Sequence, residues 1–256
     1  MVIESLIKPD WVAKNPFYSL FLGITLAFIG TSIGLFVFPD QAAFAGLLFI
    51  TIAAVPFLQK VIDFEEGKIK GKFSESFWRR NRKIALIYGL FFLGIVITYL
   101  IWMIVLPKNV LPFFFDRQIL TLSQPTVLGF FSQIQLNFFG VLINNLKILA
   151  LILTLSFIYG MGSILVIAWN ASVLGVFIGS FGDYVRFLDF IPHTALEFIG
   201  FFFAAMAGGL LSMAFDQNRT QYNSTKFWRA IQDCSALFIL GVVLIAAGAL
   251  VELRLF

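Results

Sequence analysis

The run ILALILTLSFIYGMGSILVIAWNASVLGVFIGSFG, residues 148–182, decides the fold class because it holds 35 consecutive uncharged residues. As one α-helix rising 1.5 Å per residue, it would be about 52 Å long. The hydrocarbon core of a bilayer is only about 30 Å thick, so the run must fold back. We therefore predict two helical pieces, with a break at Trp169-Asn170, in a protein that crosses the bilayer several times.

The composition of the whole chain supports the same class. Apolar residues make up 60% of the 256 residues and charged residues 12%, whereas soluble domains have about 45–50% and about 25%. The single cysteine, Cys234, excludes an internal disulfide and a cysteine metal cluster. We predict an all-α, polytopic transmembrane helical bundle with no cofactor and no nucleic-acid partner.

Apolar runs of span length recur along the chain, since a span needs about 20 apolar residues. They cover residues 15–39, 41–59, 84–107, 142–168, 198–215 and 234–251, with a shorter run at residues 171–181. The short run either crosses, which gives seven spans, or re-enters on one side, which gives six. Residues 108–135 contain Pro112, Pro125 and Asp116-Arg117 among many aromatic residues. We predict a long outer loop there, leading into an interfacial helix near residues 127–139.

Lysine and arginine are unevenly distributed. They are dense in residues 61–83 and recur before the last span as Arg219, Lys226 and Arg229. Because cytoplasmic loops carry an excess of Lys and Arg, the N-terminus and residues 61–83 are predicted to be cytoplasmic in a plasma-membrane protein. Seven spans then place the C-terminus outside. We divide the chain into a three-span N-terminal extension, residues 1–110, and a membrane domain, residues 111–256.

Polar residues inside a membrane are costly, and they are therefore candidates for a functional site. Asn144, Asn145 and Lys147 lie at the start of the fourth span. The amides can hydrogen-bond across helices, and Lys147 can reach the headgroups along its own stem. Asn170 can cap the predicted broken helix. If that break lies at membrane depth, its freed backbone groups also become ligands, as in transporters with discontinuous helices.

The segment Pro192-His193-Thr194-Ala195-Leu196-Glu197 is the strongest candidate. Pro192 suits the first position of a helix, and His193 is the only histidine in the chain. Glu197, four residues later, shares a helix face with His193. Such a pair can share a proton or hold one cation near the helix N-terminus, which favours the carboxylate. The alternative is a packing hydrogen bond near the membrane interface.

Small residues mark the same part of the chain, notably Gly175-Val176-Phe177-Ile178-Gly179 and Gly208-Gly209. Small residues let helices approach closely in membranes. We expect them to pack spans four to six together, which would allow the three polar groups to meet in one bundle.

The order of these motifs resembles the SpoIIM (stage II sporulation protein M, DUF95) family. The resemblance covers about residues 126–215 and rests on Ile143-Asn144-Asn145, Trp169-Asn170 with Leu174-Gly175, Pro192-His193 with Glu197, and the Ala/Gly-rich helix that follows. It implies a multi-spanning plasma-membrane protein. Named members in spore formers help recruit peptidoglycan-degrading partners. Most relatives occur in organisms that do not sporulate, so the sporulation role is not carried over to this chain.

Several functions fit these features. The first is a non-enzymatic component of a membrane complex, or a permease-like carrier in which Glu197 exchanges a proton or cation. A lipid-handling, flippase-like protein is the alternative. An intramembrane hydrolase is less favoured, because a metal enzyme needs about three ligands, and His193 and Glu197 fall short unless Asp183 or Asp189 joins them. Expected partners are membrane lipids, other membrane or cell-envelope proteins, or a second copy of the chain.

Overall fold

The computed structural model describes residues 7–69, 77–123, 138–159, 163–180, 184–215 and 224–252, and every regular element within these ranges is helical. The helices are α1 (Pro9–Lys14), α2 (Tyr18–Val37), α3 (Ala42–Ile69), α4 (Phe77–Val105), α5 (Leu111–Phe114), α6 (Asp116–Ser123), α7 (Phe138–Tyr159), α8 (Ile164–Ser180), α9 (Tyr184–Phe215) and α10 (Ser224–Glu252), with a 3-10 turn at Pro39–Gln41. The predicted all-α bundle is confirmed.

Six helical stretches of the described chain are long and apolar enough to cross a membrane. They are Tyr18–Val37, Pro39–Val61, Asn81–Val105, Phe138–Ile158, Ile191–Ser212 and Ala230–Val251. Continuous helices are expected there, because hydrocarbon offers no partner to an unpaired backbone group. Helix α8 has 17 residues and is therefore about 26 Å long, at the lower limit for a span. The choice between six and seven crossings depends on α8.

The break in the uncharged run differs from the prediction. Helix α7 ends at Tyr159 and α8 begins at Ile164, so Trp169-Asn170 lies inside a continuous helix. The prediction of a break there was wrong. Gly160 and Gly162 occupy the sequence between the two helices, and glycine is a weaker helix former than either Trp or Asn.

The described helices form two compact units that alternate along the sequence. The first contains α1 to α6 together with α8, and the second contains α7, α9 and α10. The chain therefore leaves the first unit for α7, returns to it for α8, and leaves it again for α9. The division at residues 110/111 made from the motifs stays a prediction, because it concerns sequence modules rather than spatial packing.

Glycines bring backbones together in the first unit, where α2 packs on α3 and α4, and α8 packs on α3 and α4. A Cβ atom on Gly175 of α8 would lie 2.7 Å from the Val96 carbonyl oxygen and 2.8 Å from Tyr99 Cβ. Gly179 likewise faces Met103. Both glycines of the GxxxG motif therefore pack on α4, which is the third span, and the expected packing of this motif among spans four to six was wrong.

Side-chain hydrogen bonds join the helices of the first unit. The Tyr99 hydroxyl of α4 donates to the Ala43 carbonyl of α3 at 2.8 Å. Trp102 Nε1 of α4 donates to Thr31 Oγ1 of α2 at 2.8 Å, and the Trp102 ring stacks on Phe28. These contacts fix α4 against both helices of the N-terminal hairpin.

The segment after α4 is helical and partly buried. Phe114 and Phe115 are buried, and their rings contact those of Trp102 and Tyr99 at 5.7 Å and 6.1 Å. Only Phe113 of the three phenylalanines is largely exposed. The predicted outer loop is therefore wrong for residues 111–123, which form α5 and α6. Most of the predicted interfacial helix, residues 127–139, lies outside the described residues.

The second unit is a three-helix assembly in which α7, α9 and α10 all contact one another. A Cβ atom on Gly200 of α9 would lie 2.9 Å from the Gly241 carbonyl oxygen of α10. A Cβ atom on Gly208 of α9 would lie 2.5 Å from the Leu153 carbonyl oxygen of α7. Glycine thus brings α9 into backbone contact with both neighbours, as expected for Gly208.

We predict that Tyr99→Phe lowers the free energy of unfolding by about 1 kcal/mol, because it removes a buried hydrogen bond between α3 and α4 and changes little else. The measurement is reversible unfolding in mixed detergent micelles. Tyr18→Phe is the matched control, since Tyr18 is exposed, and it should leave the value unchanged. Equal effects of the two substitutions would contradict the assigned role of Tyr99.

Candidate functional site

A buried carboxyl group in the second unit has an amide partner on a neighbouring helix. Glu197 of α9 and Asn145 of α7 are each 3% exposed. Asn145 Nδ2 donates a hydrogen bond to Glu197 Oε1. Two residues 52 positions apart in the sequence are thereby joined inside the membrane-spanning part of the chain.

The direction of this hydrogen bond fixes the orientation of the amide. A carboxylate only accepts, so Asn145 presents its nitrogen to Glu197, and its oxygen points elsewhere. Asn145 Oδ1 is buried and has no hydrogen-bond partner among the described residues. A buried acceptor without a donor is destabilising by about 1–3 kcal/mol. The site therefore contains a buried acceptor oxygen that has no donor among the described residues.

His193 lies one helical turn before Glu197 and is also buried. Its Nε2 atom lies 3.3 Å from Thr194 Oγ1. The sequence predicted that the helix would begin at Pro192, but α9 begins at Tyr184, and Pro192 is inside it. That prediction was wrong, and with it the argument that a helix N-terminus stabilises the Glu197 carboxylate.

Proline inside α9 has a different consequence from proline at its start. Pro192 has no N–H group, so it cannot donate the helical hydrogen bond to the residue four positions earlier. Such interruptions occur in membrane helices where other groups satisfy the freed backbone. The polar pair His193 and Glu197 therefore follows directly after an interruption of the backbone ladder of α9.

Helix α10 closes the site with a glycine. A Cβ atom on Gly248 would lie 3.0 Å from Glu197 Cγ and 3.3 Å from the His193 carbonyl oxygen. The stem of Glu197 thus packs directly on the backbone of α10, while its carboxyl group reaches Asn145 of α7. The sequence analysis missed Gly248, because a glycine in an apolar span carries no signal of which side chain it faces.

The other predicted site residues are less buried than Asn145 or belong to the first unit. Asn144 is half-buried and Lys147 is exposed, both on α7 next to Asn145. Asn170 belongs to α8 in the first unit. Its Nδ2 atom donates to the Val166 carbonyl oxygen at 2.8 Å within the same helix. The predicted capping role of Asn170 is therefore wrong, and the second unit by itself brings together Asn145, His193 and Glu197.

The first unit contains a buried polar contact that the sequence analysis also missed. Gln118 Nε2 of α6 donates to Ser172 Oγ of α8 at 3.2 Å, and Ser172 Oγ donates to the Trp169 carbonyl oxygen at 2.7 Å. The signal that could have revealed it is helical spacing, because Phe114, Phe115, Gln118 and Thr121 share one face. All four are buried.

The chemistry available in the second unit is that of proton or cation exchange. Glu197 supplies a carboxyl group, Asn145 an amide oxygen, and His193 an imidazole. Among the described residues, there is no group of three or more His, Cys, Asp or Glu side chains that could hold a metal ion. Asp183 and the side chain of Asp189 lie outside the described part of the chain.

We predict that Asn145→Leu lowers the free energy of unfolding by about 1–3 kcal/mol, because it leaves the buried Glu197 carboxyl group without its donor. In Asn145→Leu/Glu197→Met the loss should be smaller than the sum of the two single losses by about 0.5–3 kcal/mol. Unfolding in mixed micelles measures the cycle. Lys147→Met, at an exposed position on the same helix, should have little effect. Additive single losses would show that the two side chains are not coupled.

We predict that Gly248→Leu destabilises the second unit by about 1–3 kcal/mol, because the added side chain must displace Glu197 or separate α9 from α10. Val243→Leu adds bulk on an exposed side of α10 and is the control. Unfolding of both variants in the same micelles provides the comparison. If Gly248→Leu is as stable as Val243→Leu, the close packing of α10 on Glu197 is wrong.

Comparison with known proteins identifies one family. The family model described as Stage II sporulation protein M, SpoIIM, matches residues 23–253. No match to a curated protein or to a solved structure was found. The matched region begins within α2 and includes all six candidate spans in whole or in part, so it extends over the first three spans, which the motif resemblance did not reach. With nine-tenths of its residues matched, the chain belongs to the stage II sporulation protein M (SpoIIM) family and is an integral membrane protein.

Proposed function

We propose that this protein is a non-enzymatic, permease-like carrier whose polar intramembrane site is formed by Asn145, His193 and Glu197. The observation that supports the proposal is the hydrogen bond between Asn145 and the buried carboxyl group of Glu197. Ionisable side chains within spans are rare, and they commonly line ion or substrate pathways.

Two further features support a carrier. Pro192 lies inside the continuous helix α9 and removes one helical hydrogen bond immediately before the polar pair. His193 and Glu197 belong to the candidate span Ile191–Ser212. The polar groups therefore belong to a helix that itself traverses the membrane. The proposed three-residue site does not include Asn144, Lys147 or Asn170.

The charge distribution supports an orientation in the plasma membrane with the N-terminus and residues 61–83 on the cytoplasmic side. Lipids surround such a protein, and other membrane or cell-envelope proteins, or a second copy, are its expected partners. A component of a membrane complex is the other function compatible with the family, and the experiment below separates it from a carrier.

The test is solute flux in proteoliposomes, with wild type compared with Glu197→Gln across a panel of radiolabelled ions, amino acids and sugars. We expect at least one solute to move, and Glu197→Gln to slow it about tenfold, the effect of losing about 1.4 kcal/mol at the rate-limiting step. Asp116→Asn is the matched control, since Asp116 is an exposed carboxylate on α6. It should transport like wild type.

Other outcomes overturn the carrier. Background flux of every solute in wild type and Glu197→Gln alike would reject it and favour a membrane-complex component, which copurification of partner proteins would then identify. Phospholipid that copurifies or changes leaflet only when Glu197 is present would also reject the solute carrier and favour lipid handling. Folding of each variant is checked by its elution as a single species in detergent.

A further inference from the structure

The atoms that Asn145 and Glu197 bring into the site of the second unit are mostly acceptors of hydrogen bonds or ligands of cations. Glu197 offers carboxylate oxygens, and Asn145 offers Oδ1, which is buried and without a hydrogen-bond partner among the described residues. The buried residues of the described chain include no lysine or arginine. Lys147 is exposed and two positions from Asn145 on α7, so the two side chains do not face the same direction.

We infer that this site binds a cation, either a proton or a small alkali metal ion, on the Glu197 carboxylate with Asn145 as its second ligand. This inference rests on the proposed carrier function, which gives the reason why the protein would bind a cation. It adds the chemical class of the bound species. An anion would be repelled by the Glu197 carboxylate, and the described residues include no buried lysine or arginine that would attract it.

The amide of Asn145 fits both states of such a site. The amide nitrogen donates to the carboxyl group in this structure, and it can do so when Glu197 is ionised. When a proton or metal ion occupies the carboxyl group, rotation about the Asn145 Cβ–Cγ bond brings Oδ1 to face it. An amide can donate or accept, whereas a lysine only donates and a carboxylate only accepts. Asparagine is therefore suited to a partner whose charge changes.

The space beside Glu197 favours a small ion over a larger solute. Gly248 and the stem of Glu197 are in contact, since a Cβ atom on Gly248 would lie 3.0 Å from Glu197 Cγ. Two helical turns earlier on α10, Gly241 approaches Gly200 of α9, where a Cβ atom on Gly241 would lie 3.0 Å from the Gly200 carbonyl oxygen. The backbones of α9 and α10 are in close contact on this side of Glu197, which favours a small ion over a larger solute.

The groups that could exchange a proton with Glu197 are few among the described side chains. On α9 the nearest is His193, one turn away. On α7 the titratable group beside Asn145 is the exposed Lys147. On α10, Asp233 and Cys234 precede Gly248 by at least 14 residues, or about 21 Å of helix. The side chains of Arg186 and Asp189 on α9, and of Arg229 and Glu252 on α10, lie outside those described. Protonation converts the carboxylate to a carboxylic acid and makes or breaks no other bond.

Infrared difference spectroscopy of the intact protein in lipid nanodiscs tests this directly, because a protonated carboxylic acid has its own carbonyl stretching band. We expect wild type to show a band that disappears as pH rises, or on addition of NaCl or KCl relative to choline chloride at constant pH. Glu197→Gln should lose the band, and Asp116→Asn should keep it. Loss with pH alone assigns the proton, and loss with Na⁺ or K⁺ assigns the metal ion.

A wild-type spectrum with no carboxylic-acid band that responds to pH or to either ion overturns the inference, and so does a responsive band that survives in Glu197→Gln. If Glu197→Gln fails to fold, Asn145→Leu replaces it. That variant retains the carboxyl group but lacks the second ligand, so its band should titrate at a pH different from that of wild type, and an unchanged titration overturns the role of Asn145.

The outcome of the infrared experiment can be distinguished from that of the flux experiment. Flux that depends on Glu197, together with a silent infrared band, leaves the carrier standing and rejects the cation. A responsive band without flux of any solute rejects the carrier and leaves a cation site whose role is structural or regulatory.

Discussion

Contact between helix backbones at glycine residues is the constraint on which both units depend. Lipid tails are as apolar as leucine, so the hydrophobic effect does not drive spans together, and close packing must do so. In the first unit Gly175 lets α8 touch α4, and in the second Gly200 and Gly208 bring α9 against α10 and α7. Where backbones are in contact, the helices can hardly slide past one another without a clash.

This constraint also explains why a carboxyl group is tolerated in the second unit. Glu197 has its stem against Gly248 and its carboxyl group against Asn145. Glycine contacts hold α9 close to α10 at Gly200 and Gly248 and close to α7 at Gly208, and in this packing the amide of Asn145 reaches Glu197. With a looser packing, the carboxyl group would have to find water or lipid headgroups. The polar site therefore depends on the same close packing that holds the helices of the second unit together.

The sequence predicted the parts of this structure that depend on composition and run length. Five of the six long candidate spans were found near their predicted positions, because about 20 uncharged residues leave few alternatives, whereas the fourth ends at Tyr159 and not at residue 168. Asn145, His193 and Glu197 were also identified correctly as buried polar residues of the membrane part. The break at Trp169-Asn170 and the helix start at Pro192 were wrong, because both rested on local preferences, whereas α8 and α9 continue through these positions.

Other features were beyond a single sequence because they depend on which helices become neighbours. Three contacts join segments that are distant in the sequence, namely those of Gly175 with α4, of Gly248 with Glu197, and of Gln118 with Ser172. Hydrophobic periodicity shows that a face is buried but does not show against what. Residues 111–123 illustrate this limit, since their prolines and charges suggested a loop, whereas Phe114 and Phe115 fill the space beside Tyr99 and Trp102.

The alternation of the two units along the chain has a consequence for biosynthesis. When the ribosome has completed α6, the first unit still lacks α8, whose residues follow α7. The surface of α4 that receives Gly175 stays open until then, and the second unit is incomplete until α10 emerges. Neither unit is therefore finished early in translation. A nascent chain of this protein therefore leaves part of the packing surface of α4 uncovered until α8 has been synthesised, and α9 lacks one of its two neighbours until α10 emerges.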